Sequence, residues 1–310
     1  MISEAEYGQA LATLQTPRDC LRWAETSMRR HGIALGHGTD DYWDESLSLM
    51  LHVLSLPWDS DPRLLDARLL PLEVEQFAAL LRRRVNDRVP APYLTGCAWF
   101  CGLQFKVDER VLIPRSPIAE LIEQRFEPWL DPEQVSRVLD VGTGSGCIAI
   151  ACAAAFPGVL VDAVDISADA LAVCRSNIEM HGVEQQVQPL QGDALTALDG
   201  RYDLIVSNPP YVDAADMASL AAEYRHEPPL ALASGDDGLD MTRALLAGAA
   251  KHLTPDGILV VEVGNSQAAV ELAWPEVPFT WLDFERGGQG VFLLTRVQLE
   301  QYLPLFRQAS

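Results

Sequence analysis

The sequence predicts an α/β protein in which an open, mainly parallel sheet of seven strands is covered by helices, with a smaller helical domain ahead of it. Three observations carry this expectation: strand-like and helix-like stretches alternate after residue 118, residues 1–90 read as helices alone, and a β-rich stretch bounded by prolines lies between. At 310 residues, 48% hydrophobic and 22% charged, the chain can bury one large core and a satellite.

Taken in order, the N-terminal zone opens with an acidic segment, Met1 to Glu6, that lacks the basic and then apolar pattern of a secretion signal. No apolar run reaches the roughly 18–20 residues that span a bilayer, so a cytoplasmic protein without membrane contact is expected. Asp44 and Glu45 open a helix with Leu47, Met50, Leu51 and Leu54 on one face, and Pro71 precedes another with Val74, Phe77, Leu81 and Val85. These faces predict a small bundle over 1–90. Arg82, Arg83, Arg84 and Arg88 could grip a phosphate, but such runs are more often solvated faces, and they are read as one here.

From 91 to 117 the pattern becomes Trp99-Phe100-Cys101 and Leu103 to Val107 around Gly102, a hairpin-like connector. Residues 118–310 then carry the alternation. Strands are predicted at 137–141, 160–165, 187–190, 204–207, 258–263, 279–284 and 291–294, and helices near 147–156, 168–180, 241–252 and 267–274.

The six cysteines (Cys20, Cys97, Cys101, Cys147, Cys152, Cys174) form no CxxC pair and no zinc spacing, so they read as small buried hydrophobes and no metal is expected. Charge says more. With 23 basic and 44 acidic residues the net is −21, which repels a phosphate backbone and attracts a basic partner.

The strand Val138-Leu139-Asp140-Val141 runs into Gly142-Thr143-Gly144-Ser145-Gly146 and then directly into an apolar helix. Glycines let this backbone approach a ligand closely, and Asp140 can accept a hydrogen bond from an ammonium or hydroxyl group. Asp165 ends the next strand, where a carboxylate commonly binds ribose hydroxyls, and Asp193 follows the third, where an adenine amino group could be held. The acid precedes the glycines and the dinucleotide form GxGxxG is absent, which favours S-adenosylmethionine over a dinucleotide. Residues 118–310 are thus read as a catalytic domain using that cofactor.

The decisive motif is Asn208-Pro209-Pro210-Tyr211, directly after the fourth strand. Two acceptors, the Asn208 side-chain oxygen and the Pro209 carbonyl, could receive both N–H groups of a planar amide or amine nitrogen and hold it in line with a methyl donor. Consecutive prolines stiffen the turn, and Tyr211 could stack on the amide plane. A bare proline turn is the competing reading, weakened by the cofactor loop one strand pair earlier.

These residues resemble the class I methyltransferases of the protein N5-glutamine type, and within them the PrmB-type branch that modifies the third protein of the bacterial large ribosomal subunit. The likeness extends through Gly36-His37-Gly38-Thr39-Asp40, Ala98 to Gly102, Val107 to Pro117, Tyr224 to Pro228 and Gly287 to Phe292. It implies a Rossmann-like sheet ordered 3-2-1-4-5-7-6, a separate helical substrate-recognition domain over 1–90, a cofactor held by Gly142 to Gly146 with Asp165, and a glutamine held by Asn208 to Tyr211. The basic ribosomal protein would be met free or on an assembling large subunit.

The sister branch, which methylates peptide release factors, usually carries Pro-Glu-Thr-Glu after the shared Pro-Arg, where this chain has Ser116-Pro117-Ile118-Ala119-Glu120. That departure argues for the ribosomal branch. Adenine amino-group methyltransferases share the Asn-Pro-Pro-Tyr motif, but the charge of −21 weighs against them. A cofactor-binding assembly factor without transferase activity is a third reading, weakened by the intact motif. Seven carboxylates against one cation, Arg225, between Asp213 and Asp240 are further expected to rim the site and draw in a basic substrate.

Overall fold

Residues 1–196 and 198–308 are described by the computed structural model. Strands β1 (Cys97–Phe100) and β2 (Leu103–Lys106) form a hairpin. The main sheet comprises β3 (Arg137–Val141), β4 (Leu160–Asp165), β5 (Val187–Gln191), β6 (Tyr202–Ser207), β7 (Leu253–Glu262), β8 (Thr280–Leu282) and β9 (Val291–Thr295).

Their spatial order is β5-β4-β3-β6-β7-β9-β8, which, counted within this sheet alone, is the expected 3-2-1-4-5-7-6. Strand β3 pairs in parallel with β4 on one side and β6 on the other. The winding therefore reverses between β3 and β6, and a crevice opens beyond their carboxyl ends. Strand β9 runs antiparallel to both β7 and β8.

The strands are near-continuous apolar runs because both faces are covered. Alternate residues go to opposite cores: Val138, Ile258 and Val260 to one, Leu139, Val141, Leu259 and Val261 to the other. Each such side chain, fully buried, contributes about 1.5–3 kcal/mol of transfer free energy.

Five helices, α1 (Glu4–Thr13), α2 (Pro17–Arg30), α3 (Tyr42–Leu54), α4 (Pro71–Asn86) and α5 (Ala91–Thr95), precede the hairpin. Seven follow: α6 (Ile118–Glu123), α7 (Cys147–Ala155), α8 (Ala168–His181), α9 (Ala214–Ser219), α10 (Asp240–Gly248), α11 (Gln267–Ala273) and α12 (Arg296–Gln308). Helix α12 has no counterpart in the sequence reading, which stopped at the last strand. It carries Pro304, a helix breaker by local rules, and is held by burial of Leu299 and Phe306.

Two compact units result, one of Met1–Cys97 with Ala221–His226 and the other of Ala98–Leu220 with Glu227–Ser310. The smaller unit thus extends past residue 90. The reason is α5, whose Ala91 and Leu94 join the helical core although the β-rich connector was expected to begin at residue 91. Prolines at a first turn lose no hydrogen bond, so they start a helix as readily as they end one. The hairpin, expected as a separate connector, lies within the larger unit apart from Cys97.

In the smaller unit the predicted face of α4 is buried, as Val74, Phe77, Leu81 and Val85 are all closed to solvent. The arginine run is not a solvated face. Arg84 has 0% exposure, with its Nε donating to Glu45 Oε1 at 2.8 Å and its Nη2 to the Ala34 carbonyl at 2.8 Å. Its Nη1 lies 3.6 Å from Glu223, a residue of the 221–226 excursion. Arg88 also meets Glu223, at 3.1 Å, and Arg82 pairs with Glu4. Arg84 lies three residues after Leu81 on the buried face of α4, where only paired charges persist, and Arg88 follows the end of that helix.

Replacing Arg84 by Ala would leave Glu45 and Glu223 buried without their shared cation. A loss of about 3–5 kcal/mol is expected, read by urea unfolding of the full chain, against less than about 0.5 kcal/mol for exposed Arg83→Ala. Equal, small effects would remove the buried pair from the account of this unit.

Candidate active site

The carboxyl ends of β3, β4, β5 and β6 bring every predicted site segment to one edge of the sheet. There a cleft of about 390 Å³ is lined by Gly142, Thr143, Gly144, Ser145, Asp165, Asp193, Asn208 and Pro210. Gly146, Asp140, Pro209 and Tyr211 are not on its wall.

Gly142, Gly144 and Gly146 have φ of +74°, +55° and +82°, left-handed values that side chains other than glycine tolerate poorly. The Gly142 and Thr143 N–H groups donate to the Val164 carbonyl at 2.8 and 2.9 Å, so the loop folds over the end of β4. Gly146 ends the loop against α8, where a Cβ would stand 2.7 Å from Cys174 Sγ. Its role is packing.

Asp165 accepts the Gly144 N–H on one oxygen and the Ser167 N–H on the other, both at 2.9 Å. Burial pushes its pKa up, with these two donors opposing. Each oxygen keeps a lone pair directed outward, as a diol would require. Asp193 also reaches the cleft, with an exposed side chain beyond β5.

Asp140 lies beneath the wall. Its Oδ2 accepts from the Thr143 hydroxyl at 2.6 Å and the Ala149 N–H at 3.1 Å, tying β3 to α7, while its Oδ1 has no partner among the described residues. Full burial pushes this carboxyl from 3.8 to about 7, and the nearby Asp165 charge adds to the rise.

Ser207 donates to the Val141 carbonyl at 2.7 Å, clamping the end of β6 to the end of β3 one residue before Asn208. The Asn208 carbonyl oxygen consequently comes within 4.0 Å of a Cβ built on Gly142, so the proline turn sits directly over the glycine loop. The Asn208 Oδ1 is buried and, among the described residues, unpartnered.

Tyr211 differs from expectation. Its hydroxyl donates to Glu262 Oε1 at 3.1 Å and its ring packs on Gly264, where a Cβ would come within 2.6 Å of Cε2. An extended turn directs successive side chains to alternate sides, which turns Tyr211 away from the cleft wall.

The acidic stretch is largely committed to structure. Glu223 is buried in the smaller unit, Glu227 is buried in a bidentate pair with Arg115, Asp237 and Asp240 pair with Arg243, and Asp213 caps α9. Carboxylates paired in this way attract a basic substrate weakly, and of the seven only Asp240, itself paired with Arg243, lines the cleft.

Sequence reasoning missed the wall from Arg110 to Ser116, together with Leu230 and Met241. It also missed Glu262. The one signal for that residue was a carboxylate closing an apolar strand, the same signal that marked Asp140 and Asp165.

Three buried polar atoms of the loop and turn have no partner among the described residues: Asp140 Oδ1, Ser145 Oγ and Asn208 Oδ1. Buried polar atoms without partners are costly unless a ligand supplies them. An acceptor pair for hydroxyls at Asp165, an acceptor for a cation at Asp140 and apolar walls at Leu112 and Ile148 fit an amino-acid-bearing nucleoside such as S-adenosylmethionine.

The methyltransferase small domain family model matches residues 126–224. A ribosomal protein uL3 glutamine methyltransferase from Neisseria gonorrhoeae is 49% identical over 294 residues, covering 94% of this chain and 98% of the relative. The chain belongs to this family of glutamine methyltransferases. The relative of the same name from Bordetella pertussis is also 49% identical, over 92% of this chain and 97% of its own length. Among solved structures, the hMettl16 catalytic domain, crystallised with an RNA hairpin, aligns at a TM-score of 0.50 and 16% identity over 72% of this chain and 80% of its own, a likeness of fold alone. As a class I methyltransferase this enzyme takes S-adenosylmethionine as its methyl donor.

Asp140 allows a test of the cofactor end. A carboxyl raised on folding costs folded stability as pH climbs from 3.8 through about 7, and the cost persists above. Asp140→Asn is therefore expected to gain about 1 kcal/mol or more at pH 8 and nothing near pH 4, while losing about tenfold or more in S-adenosylmethionine affinity. Thermal unfolding and calorimetry check both, and unchanged affinity would dismiss Asp140 from the cofactor site.

Proposed function

We propose that this enzyme transfers the methyl group of S-adenosylmethionine to the side-chain amide nitrogen of a glutamine in ribosomal protein uL3. The observation that carries the reading is the buried Asn208 Oδ1, without a partner among the described residues and held over the glycine loop by the Ser207–Val141 clamp. Two relatives at 49% identity named for this substrate support uL3 over a release factor or a nucleic acid.

An amide nitrogen is a poor nucleophile because its lone pair is delocalised into the carbonyl. Asn208 Oδ1 and the Pro209 carbonyl would accept its two N–H groups, orienting the nitrogen and stabilising the charge that develops on it. The cofactor supplies a methyl group on a positive sulfur. With the carbon–sulfur bond pair left on sulfur, the amide nitrogen held at Asn208 would become strongly acidic once substituted and would lose its proton to water. No side-chain base is required before transfer. Gly142 to Ser145, Asp165 and Asp193 would hold the cofactor, with Asp140 reaching it through its free oxygen. Tyr211 is given a supporting place and not a stacking one.

The helical unit, with its own core and with Trp58, Leu70 and Leu72 exposed, would recognise the rest of the substrate. A basic ribosomal protein, free or on an assembling large subunit, also suits the net charge of −21 and a cytoplasmic location. Mass spectrometry of uL3 incubated with enzyme and cofactor should show one added methyl on glutamine. Asn208→Ala is expected to lower kcat by about 10²–10³-fold with cofactor affinity within a few-fold; uL3 left unmodified by the wild type would refute the assignment.

A further inference from the structure

Glu262 closes β7 beside β6, is 5% exposed, and has no part in the chemistry described above. An aliphatic residue would satisfy the sheet there without the cost of burying a carboxylate. Its two oxygens hold two different segments of the chain. Oε1 accepts the Tyr211 hydroxyl at 3.1 Å, and Oε2 accepts the Ser116 hydroxyl at 2.5 Å.

Behind Tyr211, the segment following Glu262 completes the grip. Ser266 donates to the Tyr211 carbonyl at 2.7 Å, and the ring lies on Gly264, whose φ of +47° leaves no room for a side chain. Ser116, for its part, faces the cleft and accepts the Ile118 N–H at 3.2 Å. The residues before it hang on the other buried carboxylate, as Glu227 accepts from the Ile113 N–H and both terminal nitrogens of Arg115.

We infer that Glu262 is a positioning residue that, through the Tyr211 and Ser116 hydroxyls, sets the separation between the Asn208–Tyr211 turn and the Ile113–Pro117 strap, and so the slot that a flat carboxamide must enter. This deepens the glutamine reading and rests on it. Only an ionised carboxylate accepts both hydroxyls at once. A protonated one must donate to one of them, exchanging a charge-assisted bond for a weaker neutral one and loosening that segment. Arg115, Tyr211 and Glu227 are the charged or titratable groups facing it, and burial, opposed by the two hydroxyls and Arg115, pushes Glu262 up to about 7. The slot should thus loosen as pH falls through about 7.

The test is Glu262→Gln in the full chain, with Tyr211→Phe as partner. Hydrogen exchange read by mass spectrometry, which needs no methyl transfer, should quicken in residues 113–118 and 211–214 and stay unchanged in 142–150. On uL3, kcat should fall by about tenfold or more, with S-adenosylmethionine affinity within twofold. The double variant should be no worse than Glu262→Gln alone, and the loss of wild-type kcat below pH 7 should vanish in that variant. Unchanged exchange in both segments, or independent multiplicative losses in the double variant, would overturn the inference. If Glu262→Gln fails to fold, Ser116→Ala and Tyr211→Phe, which keep the carboxylate, should each quicken exchange in their own segment and not the other's; quickening in neither overturns the inference equally. Wild-type enzyme inactive on uL3 but with the expected exchange pattern would fault the substrate and leave the positioning role standing.

Discussion

The placement of β3 between β4 and β6 governs the site. Because both neighbours run parallel to β3, their carboxyl ends finish at one edge, and the chain must leave that edge in opposite directions. The glycine loop, Asp165 and the proline turn, which are far apart along the chain, meet for that reason. The Ser207 hydroxyl on the Val141 carbonyl then fixes the turn over the loop at the point where strand pairing stops. An acceptor held there is preorganised for a transition state without having to move.

Buried carboxylates do the remaining work, each with a different set of donors. Asp140 joins β3 to α7 and keeps one oxygen unpartnered; Asp165 gives both oxygens to backbone N–H groups; Glu262 bridges two hydroxyls; Glu227 and Glu223 take arginines. Their pKa directions follow the strength of those donors. Glu223, although burial pushes it up, is held below the ordinary range by N–H donors and the guanidinium groups of Arg88 and Arg84, whereas Asp140 and Glu262 have too few donors to offset burial. The chain thus keeps strong pairing where it needs a rigid scaffold and weak pairing where a ligand or a slot must respond.

Seven strands and the central helices were legible because buried parallel strands are uniformly apolar and glycine-rich turns interrupt them. Local rules failed where tertiary burial overrode them. Pro304 and the Pro90–Pro92 pair marked breaks to a reader of single residues, yet α12 and α5 form because Leu299, Phe306, Ala91 and Leu94 have cores to enter. The Arg82–Arg84 run looked like a solvated face and the acidic 213–240 stretch like a rim for a basic substrate for a related reason. The partners Glu45, Glu223 and Arg115 lie at sequence separations that no periodicity connects.

Taken alone, the residues determined the alternation of elements, the cofactor loop, the Asn-Pro-Pro-Tyr turn and the family, since each is a local pattern with a local physical meaning. The tertiary structure decided which polar atoms remain free. Asp140 Oδ1 and Asn208 Oδ1 are left as acceptors while the Tyr211 hydroxyl is consumed by Glu262, because hydrogen-bond satisfaction depends on neighbours that only folding brings within reach.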